Sequence, residues 1–190
     1  MNPVFSLNYS EFLVADHLQN LFRKKEGYSL LLPLSGQQKG YDIALMHRQS
    51  NSSKVVTFQV KGSRSYEGSP GTAPISGRRT FAHNMYLNAF SVPAEADFFV
   101  FISQYPSNRT NLRQSTNLWS SHMLLFSQKE LAALMKKLRK KKTNTPETHF
   151  NFGFDKSNEA FLTRGHADAQ HPDYSAHVLA NNVSKIQNAL

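Results

Sequence analysis

The runs Gly40-Tyr41-Asp42-Ile43-Ala44-Leu45 and Val55-Val56-Thr57-Phe58-Gln59-Val60-Lys61 leave the chain little freedom in how it folds. Successive side chains of a strand point to opposite faces, so residues two apart share one. Tyr41, Ile43 and Leu45 then form an apolar face, with Asp42, Ala44 and Met46 behind it. In the second run Val56, Phe58 and Val60 share a face, and Val55, Thr57, Gln59 and Lys61 take the other. A one-residue slip would turn every apolar side chain the wrong way. Matching the apolar rows therefore predicts a hairpin with Ile43 near Val60 and Leu45 near Phe58. The same match brings Asp42 beside Gln59 and Lys61. The link Arg48-Gln49-Ser50-Asn51-Ser52-Ser53 is polar and turn-prone, as a hairpin connection requires. An acid, an amide and a lysine on one strand face suit divalent-metal chemistry on a phosphodiester. They are equally what a solvated outer face carries.

Composition narrows the field. At 190 residues the chain is expected to form a single domain with a substantial core. No run approaches the ~18 apolar residues of a membrane span, and no apolar leader opens the chain, so an intracellular, cytoplasmic protein without a membrane partner is expected. The absence of cysteine excludes disulfide scaffolds, thiolate zinc sites and cysteine nucleophiles. Lys and Arg number 22 against 13 Asp and Glu, a formal charge of +9 that favours a polyanionic partner, nucleic acid first.

Along the chain, residues 8–26 read as an amphipathic helix, with Asn8-x-x-Glu11 at capping-box spacing and Gly27 as the stop. Glu11 borders its apolar stripe of Phe12, Ala15, Leu18 and Phe22. Tyr28–Leu34 reads as a buried strand. Gly62–Arg79 is a Ser, Gly and Pro-rich loop whose Arg64, Arg78 and Arg79 could meet a phosphate backbone. Phe81–Phe90 reads as a short helix or irregular segment. Asp97–Ser103 and His122–Phe126 read as strands, and Ser127-x-x-Glu130 opens a helix to about Lys142. That helix ends in Lys136, Lys137, Arg139, Lys140, Lys141 and Lys142, more positive charge than a helix terminus requires, so a phosphate-contacting patch is a second expectation. Residues 144–190 are expected to pack back onto a core of residues 1–143 as an irregular extension. Phe150, Phe152, Phe154 and Phe161 are its anchors, and a final helix lies near 174–189. His166, His171 and His177 match no zinc spacing, and Gly71–Gly77 lacks the lysine of a phosphate-binding loop.

The order helix with Glu11, strand, strand with Asp42, strand with Gln59-x-Lys61, helix, strand resembles the PD-(D/E)XK nuclease superfamily over about residues 8–140. The resemblance implies an α/β fold bordering on α+β. Its restriction-endonuclease-like core is a mixed sheet of four to five strands flanked by helices, in the order αβββαβ. It matches Asp42 to the acid of the first half-motif, Gln59 to the second acidic position, Lys61 to the motif lysine and Glu11 to the first-helix acid. Tyr41 stands in place of Pro, and Gln59 replaces Asp or Glu, as it does in some branches of the family. The implied activity is Mg²⁺- or Mn²⁺-dependent endonucleolytic hydrolysis, with DNA as the expected partner and a restriction, repair or junction-resolving role. Oxygen ligands suit such an ion. Asp42 would be the main ligand, and the Gln59 amide oxygen, the Val60 carbonyl and Glu11 would complete the set. Lys61 would orient water or stabilise developing charge. A homodimer would suit cutting of both strands. The alternative is a degenerate nuclease-fold module that binds nucleic acid without cutting it, suggested by the charge that Gln59 removes.

Overall fold

The computed structural model describes residues 9–33, 40–50, 52–67, 81–86, 92–106, 119–138, 149–154, 159–165 and 171–190. Helix α1, Tyr9–Leu21, buries Val14, Ala15 and Leu18 at helical spacing, and Phe22 just beyond its end. It stops short of the predicted boundary. Lys24–Glu26 forms a 3-10 turn, closed by Gly27 at φ 90°, in the left-handed region that penalises a Cβ. Asn8, the expected cap, lies outside the described residues.

Eight strands follow: β1 (Tyr28–Leu31), β2 (Ile43–Arg48), β3 (Ser53–Glu67), β4 (Phe81–Tyr86), β5 (Phe98–Pro106), β6 (Trp119–Ser127), β7 (His149–Phe154) and β8 (Ala160–Arg164). Five of them build a mixed sheet in the order β1-β2-β3-β5-β6, antiparallel except where β3 runs parallel to β5. The far end of β3 leaves this sheet, and Ser65–Glu67 pair with β4. Strands β7 and β8 extend that second, antiparallel sheet. The protein is thus of mixed α/β class.

Several expectations need correction. Phe81–Tyr86, the described part of the segment expected to be a short helix or irregular, is strand β4, so among the described residues a strand stands between β3 and β5 where the order αβββαβ has a helix. A parallel pair needs a crossover, and here the chain between β3 and β5 passes through β4 in the second sheet. The register of the hairpin is also offset by two residues: Ile43 faces Phe58 and Leu45 faces Val56. An even offset leaves every side chain on its expected face. In this register the Val60 N–H, which the predicted register would give to Ile43, is taken by the Asp42 carboxylate. Finally, the C-terminal extension is ordered into β7 and β8, and its last residues form 3-10 turns at Ser175–His177 and Leu179–Asn181 before helix α3, Val183–Ala189.

The sheet is buried on both sides. Ile43, Leu45, Phe58, Val60 and Val100 pack beneath α1, together with Leu179, Ile186 and Leu190 from the end of the chain. On the opposite face Phe99, Phe101, Leu124 and Phe126 meet Phe150, Phe152 and Phe154 of β7. The rings pack edge-to-face, Phe101 lying 5.6 Å from Phe126 and 6.0 Å from Phe150 between centroids. Helix α2, Gln128–Lys137, closes this side with Leu131 and Leu134; it ends before the predicted Lys142, with Leu138 as its C-cap. No helix among the described residues is long and apolar enough to cross a membrane.

Helix α2 begins at a complete capping box. Ser127 Oγ accepts from the Glu130 N–H, and the Glu130 carboxylate accepts from the Ser127 N–H at 2.7 Å. The same carboxylate accepts from Lys185 Nζ of α3 at 2.8 Å. Burial pushes the Glu130 carboxyl upward, but Lys185 and Ser127 outweigh it and hold the group below its ordinary value. Ser127→Ala is expected to cost about 1 kcal/mol in urea unfolding, and Glu130→Ala more, because it also releases α3. Since the folded value is depressed, the contribution of Glu130 is present at neutral pH and lost in acid. The gap between wild type and Glu130→Ala should therefore narrow as pH falls.

Candidate active site

Asp42 lies immediately before β2, where the chain enters the sheet. Its N–H donates to the Phe58 carbonyl at 2.8 Å, and its Oδ2 accepts the Val60 N–H at 2.7 Å. The side chain is thereby tied to the strand that carries Gln59 and Lys61. The N–H and C=O of one strand residue leave on the same edge, so the Val60 carbonyl also faces the Asp42 side. Gln59 lies between Phe58 and Val60, the two residues that bond Asp42, and Lys61 follows on the same face of β3 as Gln59.

Gln59 Oε1 is buried and has no hydrogen-bond partner; among the described residues Asn151 Oδ1 is the one other such atom. An unmet buried acceptor costs about 1–3 kcal/mol. A cation at this oxygen would offset that cost.

Glu11, in the first turn of α1, interacts electrostatically with Asp42 and Lys61, and α1 itself lies close against β3. Gly62, next to Lys61, receives the first turn of α1: a Cβ there would lie 2.8 Å from Ser10 Cβ. Gln104 Nε2 of β5 donates to Ser10 Oγ at 3.4 Å from the neighbouring strand. A glycine inside a strand marks this kind of approach, and its place directly after Lys61 was the signal in the sequence. Ser10, Gly62 and Gln104 are positioning residues that motif reading passed over.

The charges feel one another. Burial pushes the Asp42 carboxyl upward; the Val60 N–H opposes this, Glu11 adds to it and Lys61 opposes it, with a net rise. Burial pulls Lys61 below the ordinary lysine value, while Asp42 and Glu11 act in the opposite direction. The site is a half-buried set of two carboxylates, one amide oxygen and one lysine. That oxygen set suits a hard, oxygen-preferring ion such as Mg²⁺. Among the described residues no group of three or more His, Asp or Glu side chains gathers, so such an ion would depend on the neutral oxygens of Gln59 and Val60 as well as on Asp42 and Glu11.

The residues expected to meet phosphates are placed less fully. Lys136 and Lys137 are exposed in the last turn of α2, and no described contact joins them to Asp42. Arg64 lies on β3 as the register partner of Gln104. Arg78, Arg79, Arg139 and Lys140 lie outside the described residues, as do Lys141 and Lys142.

Folded Asp42 keeps its proton to higher pH than the unfolded chain does. In the absence of metal its ionisation therefore lowers stability as pH rises through that raised range. Asp42→Asn retains an acceptor for the Val60 N–H and removes the ionisation. In urea titrations with chelator, the variant should become progressively more stable than wild type from acid to neutral pH. A gap that does not change with pH would show that the carboxylate is not desolvated. Compared with family models, with curated proteins and with solved structures, the chain matches none, so what this site does must be read from its own geometry.

Proposed function

We propose that this protein is a metal-dependent endonuclease that hydrolyses phosphodiester bonds, in DNA first, with Asp42, Gln59, Val60 and Glu11 as ligands of Mg²⁺ or Mn²⁺. The observation that carries this reading is the buried, unpartnered Gln59 Oε1 on the residue next to Val60, whose N–H holds the desolvated Asp42. Further support comes from the five-stranded mixed sheet, which carries an acid at the start of β2 and Gln-x-Lys on β3, as the PD-(D/E)XK superfamily does. The strand in place of the expected helix before β5 is a departure from that pattern. The charge of +9 is consistent with a polyanionic substrate.

A bound divalent ion supplies charge stabilisation at the phosphoryl oxygens. Asp42, held by the Val60 N–H, is fixed in place before any ligand arrives, so little ordering is required on binding. Lys61 donates N–H bonds to the phosphoryl oxygen on which charge develops, and half-burial makes that interaction stronger than it would be in water. Glu11 adds negative charge that keeps Lys61 protonated against its desolvation.

Incubation with branched, linear and methylated DNA in Mg²⁺ or Mn²⁺ tests the reading. Asp42→Ala and Lys61→Ala are each expected to slow cutting by at least about 100-fold. Cutting that survives both substitutions would rule out this site. The neutral Gln59 favours a second reading, a module that binds nucleic acid without cutting. Gln59→Glu restores the missing charge and should tighten Mn²⁺ binding about tenfold in calorimetry, some 1.4 kcal/mol. If wild type neither binds the ion nor cuts, and Gln59→Glu binds it, the non-catalytic reading replaces the first.

A further inference from the structure

At one end of the five-stranded sheet the chain turns twice, and both turns carry cations. Arg23, Lys24 and Lys25 lie between α1 and β1, Arg48 ends β2, and Lys54 lies at the start of β3. The fold holds these segments together. The Gly27 carbonyl accepts the Arg48 N–H at 2.9 Å. Tyr28 and His47 are register partners with stacked rings 4.2 Å apart, and His47 faces Lys54 across the hairpin. All five cations are exposed, and Glu26 is the one acid in the two segments 23–28 and 47–54. Among the described residues none of the five takes part in a salt bridge.

Helix α1 ends at Leu21 with no basic residue in its last turn, so Arg23, Lys24 and Lys25 lie beyond the reach of its dipole. Arg48 and Lys54 join these three from a different hairpin. Gln49, Ser50 and Ser52 lie between them, side chains of the kind that bond phosphate oxygens. A lipid surface would call for an apolar anchor among the cations. The nearest exposed candidate, Val55, alternates to the opposite face of β3 from Lys54.

We propose that this end of the sheet is a second nucleic-acid contact surface, one that grips the phosphate backbone of a duplex away from Asp42. Arg48 stands six residues along β2 from Asp42, about 20 Å at the rise of a strand. That separation corresponds to about six phosphate steps along one strand of a duplex. The surface is independent of the cutting reading, because its cations bind whether or not the site is active.

The test is binding of a long DNA duplex in chelator, where no cutting occurs, over a series of salt concentrations. In Lys24→Gln/Lys25→Gln/Lys54→Gln the slope of log affinity against log salt should fall by about 2.7, with affinity lower on the order of 100-fold at 0.1 M salt. The triple Lys→Arg variant should keep both, which separates loss of charge from loss of fold. An unchanged slope, or no binding of the duplex by wild type, overturns the proposal. Equally, binding to anionic vesicles that the Gln substitutions abolish, with duplex binding untouched, assigns the surface to lipid and overturns it.

Discussion

Strand β3 is the element to which every layer is attached. Its first half pairs with β2 on one edge, its middle runs parallel to β5 on the other, and its last residues open the second sheet with β4. Parallel strands cannot be joined by a tight turn, so the β3–β5 pair obliges the chain to travel away and return. That detour includes β4, to which β7 is paired. Burial then differs between the two faces of β3: Phe58 and Val60 lie under α1, while Thr57, Gln59 and Lys61 on the other face are half-buried beside Phe99 and Phe101 of β5.

The candidate site sits where regular pairing of β3 with β2 stops. Beyond Ile43 a carboxylate, in place of a backbone carbonyl, satisfies the Val60 N–H. Ending a strand in this way puts a charge in a partly desolvated position, and beside it Gln59 Oε1 lies buried without a donor. Structure alone would favour removing both, since unmet buried acceptors and desolvated charges are costly. Their coincidence with Lys61 and Glu11 is what makes a role in chemistry more persuasive than a role in stability. Gly62 completes the arrangement, because only a residue without a Cβ lets Ser10, and with it Glu11, come so near β3.

Where local chemistry was complete within a few residues, the sequence was sufficient. The Ser127–Glu130 capping box needs only a hydroxyl and a carboxylate three positions apart, and both of its hydrogen bonds are formed. Gly27 caps a 3-10 turn after α1 and not α1 itself, which ends at Leu21. The faces of β2 and β3 were legible because strand alternation has period two, and a register offset by an even number preserves them. For the same reason Asp42, Gln59 and Lys61 fall together although the exact partners were misjudged. Phe150, Phe152 and Phe154 were legible as apolar anchors of the C-terminal segment, but their pairing with β4, far away in sequence, was not.

By itself, then, the amino-acid sequence determined which residues lie on which face of the hairpin, where α2 begins and which polar side chains share a strand face. These depend on periodicities and hydrogen bonds that close within a single turn or hairpin. Tertiary structure alone decided that Phe81–Tyr86 is a strand, since its conformation follows from pairing with β7 more than sixty residues later. It also decided the exact hairpin register, in which the Asp42 carboxylate takes the Val60 N–H. And only the folded chain brings Arg23, Lys24 and Lys25 beside Arg48 and Lys54, because the charges meet through the pairing of β1 with β2 and not through any sequence spacing.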